Sequence, residues 1–430
     1  MRDRTILLPG QTGTWLNIDF DQVRALLKKD GIRCESMEVD LMDLAASPLQ
    51  KTNRPIDSEP QCPDYLRYFM SLVTTEHWQD IPAAERINFI DRHGDSFQKQ
   101  IDRIATQIQG RIDAAVIVQG FEPTNAFIRA AAIRQRIGTL ALENTMLSDR
   151  LVWDSISGIT PNRNLAKNYY WRYSEFVEPS KVEAYIESLI TNTAALKSLQ
   201  HTTPAEDASS ENSTIESSGN AILKTISGRP YCLFLGQVYT DSSLVFGLGN
   251  WRNPLEPLLK TYRWSQRHGL DLVVKLHPKE DQGLAPGTLQ PYDRMTWRKI
   301  QGSDLFQEFL QDSHVRIDYQ NECNTYALIQ QAHCVATINS QSGLEAAIRG
   351  KPVLVLGDAF YSGLGFTNDW SFPVLLESLG PEDMVSDVAK ARRFAYIFLE
   401  LYCKGKTPEA VVSLIQTVMS SITPARSVYR

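Results

Sequence analysis

The sequence predicts an α/β protein made of two Rossmann-like domains. Three observations carry this. Short apolar, β-branched runs alternate with amphipathic stretches along the whole chain. The clearest runs end on small polar or glycine-bearing turns, as the strands of open α/β sheets do. One stretch, TTPAEDASSENSTIESSGN (202–220), has almost no apolar residue and reads as a flexible linker between halves of similar size. The expected division is a first domain over 1–201, the linker over 202–220 and a second domain over 221–400. A last helical segment, 401–430, follows, with packing back on the first domain as one outcome.

In the first half, Thr5–Leu8 reads as a strand and 9–15 as the loop after it. Phe20–Lys29 is then an amphipathic helix ending at Gly31, and Cys34–Val39 a second strand. The first turn carries Gly10 and Gly13 but lacks GxGxxG, so it gives only a weak dinucleotide signal. Residues 45–65 read as a loop, and Tyr65–Trp78 and Ala83–Gln109 as helices. Ala114–Val118 is the clearest strand of this half and runs into Gln119-Gly120. Asn125–Arg136 is the helix after it, and Gly138–Glu143 the next strand. Glu143 therefore closes a strand, where α/β folds keep their chemistry. A carboxylate there can equally cap a neighbouring turn.

The second half restarts with strand Tyr231–Gly236 and the loop 237–243, which carries Asp241. A helix near Pro254–His268 leads to strand Leu272–Leu276 and then His277-Pro278. Val315–Ile317 reads as an edge strand, Thr325–Ala332 as a helix and Val335–Ile338 as a buried strand. The chain then breaks into Asn339-Ser340-Gln341-Ser342-Gly343, resumes as a helix over Leu344–Arg349 and stops at Gly350. Val353–Leu356 is the next strand, and Ala389–Tyr402 and Pro408–Ser421 are the last helices. A strand, a Ser/Gly turn and a helix start leave backbone N–H groups suited to an anion such as a phosphate. Read this way, Glu345 lies in the first helical turn, within reach of a ribose. The simpler alternative is that Ser340 or Ser342 only caps the helix. Asp241 before Ser242-Ser243 has the same alternative, and a lone His-Pro is usually structural.

Composition narrows the function. The chain has 430 residues, enough for two ordinary domains, with 43% hydrophobic and 22% charged residues. A formal net charge of −6 supplies no basic field for nucleic acid. No apolar run is long enough for a bilayer, and the N-terminal one is too short for a signal peptide. The six cysteines lack CxxC spacing, which suggests neither zinc nor a disulfide framework. A reduced cytoplasmic protein is expected, with membrane-surface association left open.

Four segments carry a resemblance. KLHP at 275–278 and SQSGLEAAIRGKPVLVLGDAFYSGLGFTND at 340–369 resemble the capsule polysaccharide synthesis family of bacterial Kdo transferases. GQVYTDSS (236–243) and ENTMLSD (143–149) are similar to that family in kind and order. The likeness lies mainly in the second half; before about Ala114 it is weak, and acceptor recognition usually resides there.

The resemblance implies a GT-B fold, two Rossmann-like domains facing across a cleft, with CMP-Kdo as donor and no cofactor or metal. It implies that His277 and the Ser340–Ser342–Gly343 turn hold the CMP phosphate and Glu345 the ribose. Lys275 would neutralise the departing phosphate or pair with the sugar carboxylate. It further implies retention of β-configuration, with Asp241 as nucleophile and Glu143 as acid/base. The acceptor would be a bacterial surface polysaccharide or glycolipid, made at the inner face of the membrane by this chain alone or with other glycan-assembly enzymes. Two other readings stay open. One is a GT-B transferase or epimerase using a different nucleotide-sugar; the other is a non-catalytic nucleotide- or glycan-binding protein.

Overall fold

The computed structural model describes residues 4–10, 16–37, 64–155, 158–160, 162–191, 228–281, 294–370 and 378–422. The first-turn loop at 11–15 and the linker at 202–220 lie outside the described residues. The chain forms two units. The first is Met1–Ser71, Ile81–Asn162 and Tyr402–Arg430, and the second Leu72–Asp80 and Arg163–Leu401.

The first unit opens with β1 (Thr5–Pro9), α1 (Phe20–Lys29) and β2 (Arg33–Met37). Asp19 caps α1 by accepting the Asp21 and Gln22 N–H groups. Then come α2 (Asp64–Thr74), α3 (Ala83–Ile108), β3 (Ala114–Val118), α4 (Pro123–Arg134), β4 (Gly138–Asn144) and β5 (Arg150–Asp154). Every residue of β3 is buried, as a central parallel strand requires.

The second unit runs through α5 (Asn164–Tyr173), α6 (Pro179–Thr191), β6 (Tyr231–Leu235), α7 (Ser242–Gly247), α8 (Leu255–Arg267) and β7 (Asp271–Lys275). It continues with β8 (Val315–Asp318), α9 (Thr325–Gln331), β9 (Cys334–Thr337), α10 (Gln341–Ala347), β10 (Val353–Val355), β11 (Asn368–Asp369) and α11 (Val388–Tyr396). The chain then returns to the first unit with β12 (Lys404–Gly405) and α12 (Pro408–Ile422).

Each unit holds a six-stranded sheet, in the order β12-β5-β4-β3-β1-β2 and β11-β10-β9-β6-β7-β8. The second is parallel throughout. The first is parallel from β2 to β4, and β5 and β12 then add antiparallel. The protein is therefore α/β with two Rossmann-like sheets, the parts from which a GT-B chain is made. Both sheets wind outward from an inner pair: β6 leads to β7 and β8 and β9 leads to β10 and β11, so that sheet reverses its winding between β6 and β9. The first sheet reverses between β1 and β3.

The unit boundary falls at Asn162/Arg163, earlier than the linker. The reason is packing: Arg392 of α11 pairs with Glu183 and Glu187 of α6, and Tyr170 of α5 lies against Phe394. At the other end, α12 joins the first unit's core. Val411, Leu414, Ile415 and Val418 bury with Val23 and Leu27 of α1 and with β3 and β4. One helix prediction differs in detail, since α10 begins three residues earlier than Leu344, and two observed elements, β5 and α6, have no counterpart in the sequence reading.

Candidate functional site

Open parallel sheets place ligands outside the carboxyl ends of their strands, at the point where the winding reverses. In the second unit that point lies between the loops after β6 and β9. Those loops are the 236–243 and 339–343 segments, and side-chain hydrogen bonds join them. Gln237 Nε2 donates to Asn339 Oδ1 at 2.8 Å and to Ser243 Oγ at 2.7 Å. The Asn339 N–H donates back to Gln237 Oε1, and Asn339 Nδ2 donates to the Ser243 and Gly247 carbonyls at 2.7 and 3.0 Å. Gln237 and Asn339 are buried, so this polar lock is shielded from water and holds the loops in one geometry. His277, after β7, stands on the next strand of the same edge.

Asp241 sits in the first of these loops. Its Oδ1 accepts the Ser243 N–H at 2.8 Å and so caps α7, the structural role its sequence allowed. Its other oxygen makes no hydrogen bond among the described residues. Ser340 is likewise a cap: its Oγ accepts the Ser342 N–H at 3.3 Å. The Ser342 hydroxyl is not used in this way, and it is half-buried with no partner among the described residues. Gly343 is required by packing, since a Cβ there would run into the Tyr361 phenol and approach Thr337 Cγ2 at 2.9 Å. That phenol donates to the Ser340 carbonyl at 2.6 Å, bracing the turn from behind. Burial pushes the phenol pKa far up, and the nearby Asp369 and Glu345 carboxylates add to the shift.

One predicted position and one predicted role differ. Because Ser340 caps the helix at Gln341, Glu345 belongs to its second turn, not its first, and it is 4% exposed. Lys275 points inward: it is 2% exposed, with Nζ 2.8 Å from Asp318 Oδ2 and 3.2 Å from Asn321 Oδ1. Asp318 also accepts the Glu322 and Cys323 N–H groups. The lysine charge is thus committed to a buried ion pair between β7 and β8, and a phosphate contact is not what this geometry offers. His277 is better placed. Its Nδ1 accepts the Lys279 N–H at 3.1 Å, which in a neutral ring puts the proton on Nε2 as a donor.

Other functional neighbours were not legible in the sequence. Residues 72–80 belong to this unit, and Asp80 accepts the Tyr239 phenol at 2.6 Å and Asn253 Nδ2 at 2.9 Å. Tyr239 lies two residues before Asp241, so Asp80 fixes that loop from a segment far away in sequence. Arg163, 7% exposed at the start of α5, donates to the Ser243 carbonyl at 2.8 Å and to the Asp358 carbonyl. Gly247 is glycine because a Cβ would overlap that guanidinium. Lys167, one turn on, reaches Ser362 Oγ at 3.3 Å. Neither cation was singled out in the sequence reading.

In the first unit, Glu143 is on β4 opposite Val152 and is 5% exposed. Its carboxylate accepts the Thr160 N–H at 3.1 Å and the Thr160 hydroxyl. Gly158, at φ 79°, gives it room, since a Cβ there would approach Oε2 at 2.6 Å. Gln119, ending β3, has a left-handed φ of 62°. No helix among the described residues is long and apolar enough to cross a membrane.

Comparison with known proteins gives a family match. The model of the family described as capsule polysaccharide biosynthesis protein matches residues 158–400. Two capsule polysaccharide modification proteins LipA, from serogroup A and serogroup B strains of Neisseria meningitidis, are each 25% identical over 266 residues. The match covers 60% of this chain and 34% of theirs, so the chain spans about a third of the length of these curated relatives. Among solved structures, the Thermosulfurimonas dismutans KpsC β-Kdo 2,4 transferase is similar at 18% identity and a TM-score of 0.43, over 72% of this chain and 87% of that one. A Methanocaldococcus jannaschii UDP-GlcNAc 2-epimerase is similar at 11% identity and a TM-score of 0.36, over 92% and 98%.

Proposed function

The chain belongs to the family of capsule polysaccharide biosynthesis proteins, and from that premise we propose that it is a retaining β-Kdo glycosyltransferase using CMP-Kdo as donor. The observation that carries the reading is the buried Gln237–Asn339–Ser243 lock. It fixes a carboxylate loop and a serine turn side by side at the reversal point of a parallel sheet, where a nucleotide-sugar's reacting carbon and its phosphate need adjacent partners.

In this reading the Ser342 hydroxyl and His277 Nε2–H donate to the CMP phosphate, and Gly343 lets the turn stay close to its neighbours. Glu345 is assigned the ribose, and Lys275 serves the fold. Asp241, oriented by the Ser243 N–H, attacks the anomeric carbon; the bond to the phosphate oxygen breaks and CMP leaves with the electron pair. A Kdo–Asp241 ester remains. The acceptor hydroxyl gives its proton to a general base, assigned to Glu143 of the first unit, and displaces the Asp241 carboxylate. Two inversions leave the configuration unchanged. The acceptor is a bacterial surface polysaccharide or glycolipid, and the chain works at the inner face of the membrane, peripherally or with other glycan-assembly enzymes.

The test is incubation with CMP-Kdo without acceptor, following CMP release and intact mass. A gain of one Kdo residue on the 236–243 peptide, absent in Asp241→Asn, is expected. An inverted product, or an Asp241→Asn enzyme with near-normal turnover, would refute double displacement. Turnover of another nucleotide-sugar in place of CMP-Kdo would refute the donor, and CMP binding with no turnover would make the chain a binding protein.

A further inference from the structure

We propose that Lys167, on a helix whose start Arg163 ties to the Asp241 loop, binds the carboxylate of the donor's keto-acid sugar and so selects a carboxylated donor. The proposal rests on the donor reading above. In such a sugar the carboxylate is bonded to the carbon that the nucleophile attacks. Its partner must therefore stand within side-chain reach of the nucleophile's loop. Arg163 donates to the carbonyl of Ser243, two residues after Asp241. Lys167 follows at i+4, on the same face of α5 and about 5–6 Å away at Cβ.

Lys167 already has an anion, but only at the long end of an ion pair, which a closer carboxylate could replace. Its side chain is 16% exposed. The Ser362 hydroxyl at 3.3 Å is a weak partner, and the ion pair with Asp358 Oδ1 is long at 3.8 Å. The Asp358 carboxylate is itself 54% exposed, so water competes for it. Asp369 is turned to other partners, the Gly363 N–H at 2.8 Å and the Thr367 hydroxyl at 2.8 Å. Desolvation lowers the Lys167 pKa and the Arg163 charge adds to this, while Asp358 and Asp369 pull it the other way.

Arg163 has a different part. Both of its terminal nitrogens are used on backbone carbonyls, of Ser243 and Asp358. It is a positioning residue that clamps the loops after β6 and β10 to the start of α5, whereas Lys167 has only the longer contacts to Ser362 and Asp358.

Three measurements test this. Lys167→Met should raise KM for CMP-Kdo about tenfold to hundredfold, the loss of one charge-assisted bond, while the calorimetric Kd for CMP stays at the wild-type value. Asp358→Asn, which removes the competing anion and keeps the carbonyl that Arg163 uses, should leave KM unchanged or lower it. On the wild-type protein, free Kdo should protect Lys167 from an amine-acylating reagent read by peptide mass spectrometry, and a neutral hexose should not. An unchanged KM in Lys167→Met, an equal loss of CMP and CMP-Kdo binding, or labelling indifferent to Kdo would each overturn the proposal. If the wild type fails to turn over CMP-Kdo, the donor reading falls, and the protection measurement still decides the role of Lys167 alone. If Lys167→Met does not fold, that same measurement on the wild type decides.

Discussion

The two sheets reverse their winding in the same topological manner but furnish the reversal differently. In the second unit, the loops after β6 and β9 are bound by the Gln237–Asn339–Ser243 lock, braced by Tyr239 on Asp80 and by Tyr361 on the Ser340 carbonyl. Among the described residues, the Ser342 hydroxyl is not part of this bonding. In the first unit, the residue after β3 is Gln119 in a left-handed backbone, and Glu143 lies one strand further out, on a strand that pairs antiparallel with β5. Its carboxylate is held by Thr160, on the chain that follows β5. The lesson is that preorganisation and chemistry are unevenly shared. The second unit ties its two reversal loops to each other, whereas among the described residues of the first unit Thr160 orients Glu143 and Glu122 caps α4.

If that contrast holds, the largest effect should come from Asp241. Asp241→Asn should lower turnover on the order of 10^4- to 10^6-fold, as loss of a nucleophile does elsewhere, with thermal stability almost unchanged. Quantified CMP release and a melting curve check both halves of the statement. Glu143→Gln should cost less, about 10^2- to 10^4-fold, the usual worth of general acid–base help. It should slow transfer to acceptor while the acceptor-free Kdo adduct still forms. An adduct lost in Glu143→Gln would mean that the first unit's carboxylate serves the first displacement.

Lys275 sharpens the comparison from the side of stability. Lys275→Met leaves Asp318 charged and buried, and should cost about 3–5 kcal/mol of unfolding free energy. Denaturant titration reads this directly, and the folded fraction should bind CMP as the wild type does. A variant of normal stability with weakened CMP binding would return Lys275 to the donor site. The smallest effects belong to the ligand-facing hydroxyl and imidazole. His277→Ala and Ser342→Ala should each weaken CMP binding by about 1.5–3 kcal/mol, the range for a hydrogen bond to a charged group. Wild-type affinity in both would move the phosphate away from this edge.

The positions of most elements were legible because they depend on local pattern. Apolar runs such as Val116–Val118 and Val335–Thr337 declare buried strands, and Asp19 and Gly31 bracket α1. The loops bearing Asp241, His277 and Ser342 could be placed at strand ends for the same reason. The start of α10 lies before Leu344 although Ser342 and Gly343 are weak helix formers, because the Ser340 cap starts the helix at Gln341.

What the sequence by itself determined is the alternation of strands and helices, the two-part organisation and the residue types gathered at strand ends. Tertiary structure alone decided which partner each of those residues meets. Lys275 and His277 are two positions apart, yet Lys275 is buried on Asp318, 43 residues away, and His277 accepts the Lys279 N–H through Nδ1. Arg163 and Lys167 gained their place only when α5 packed into the second unit, and residues 72–80 only when Asp80 met Tyr239. The physical reason is that propensity and periodicity act over a few residues. The partner of a charge is whatever the folded chain brings within about 3 Å, and desolvation makes that partner decisive.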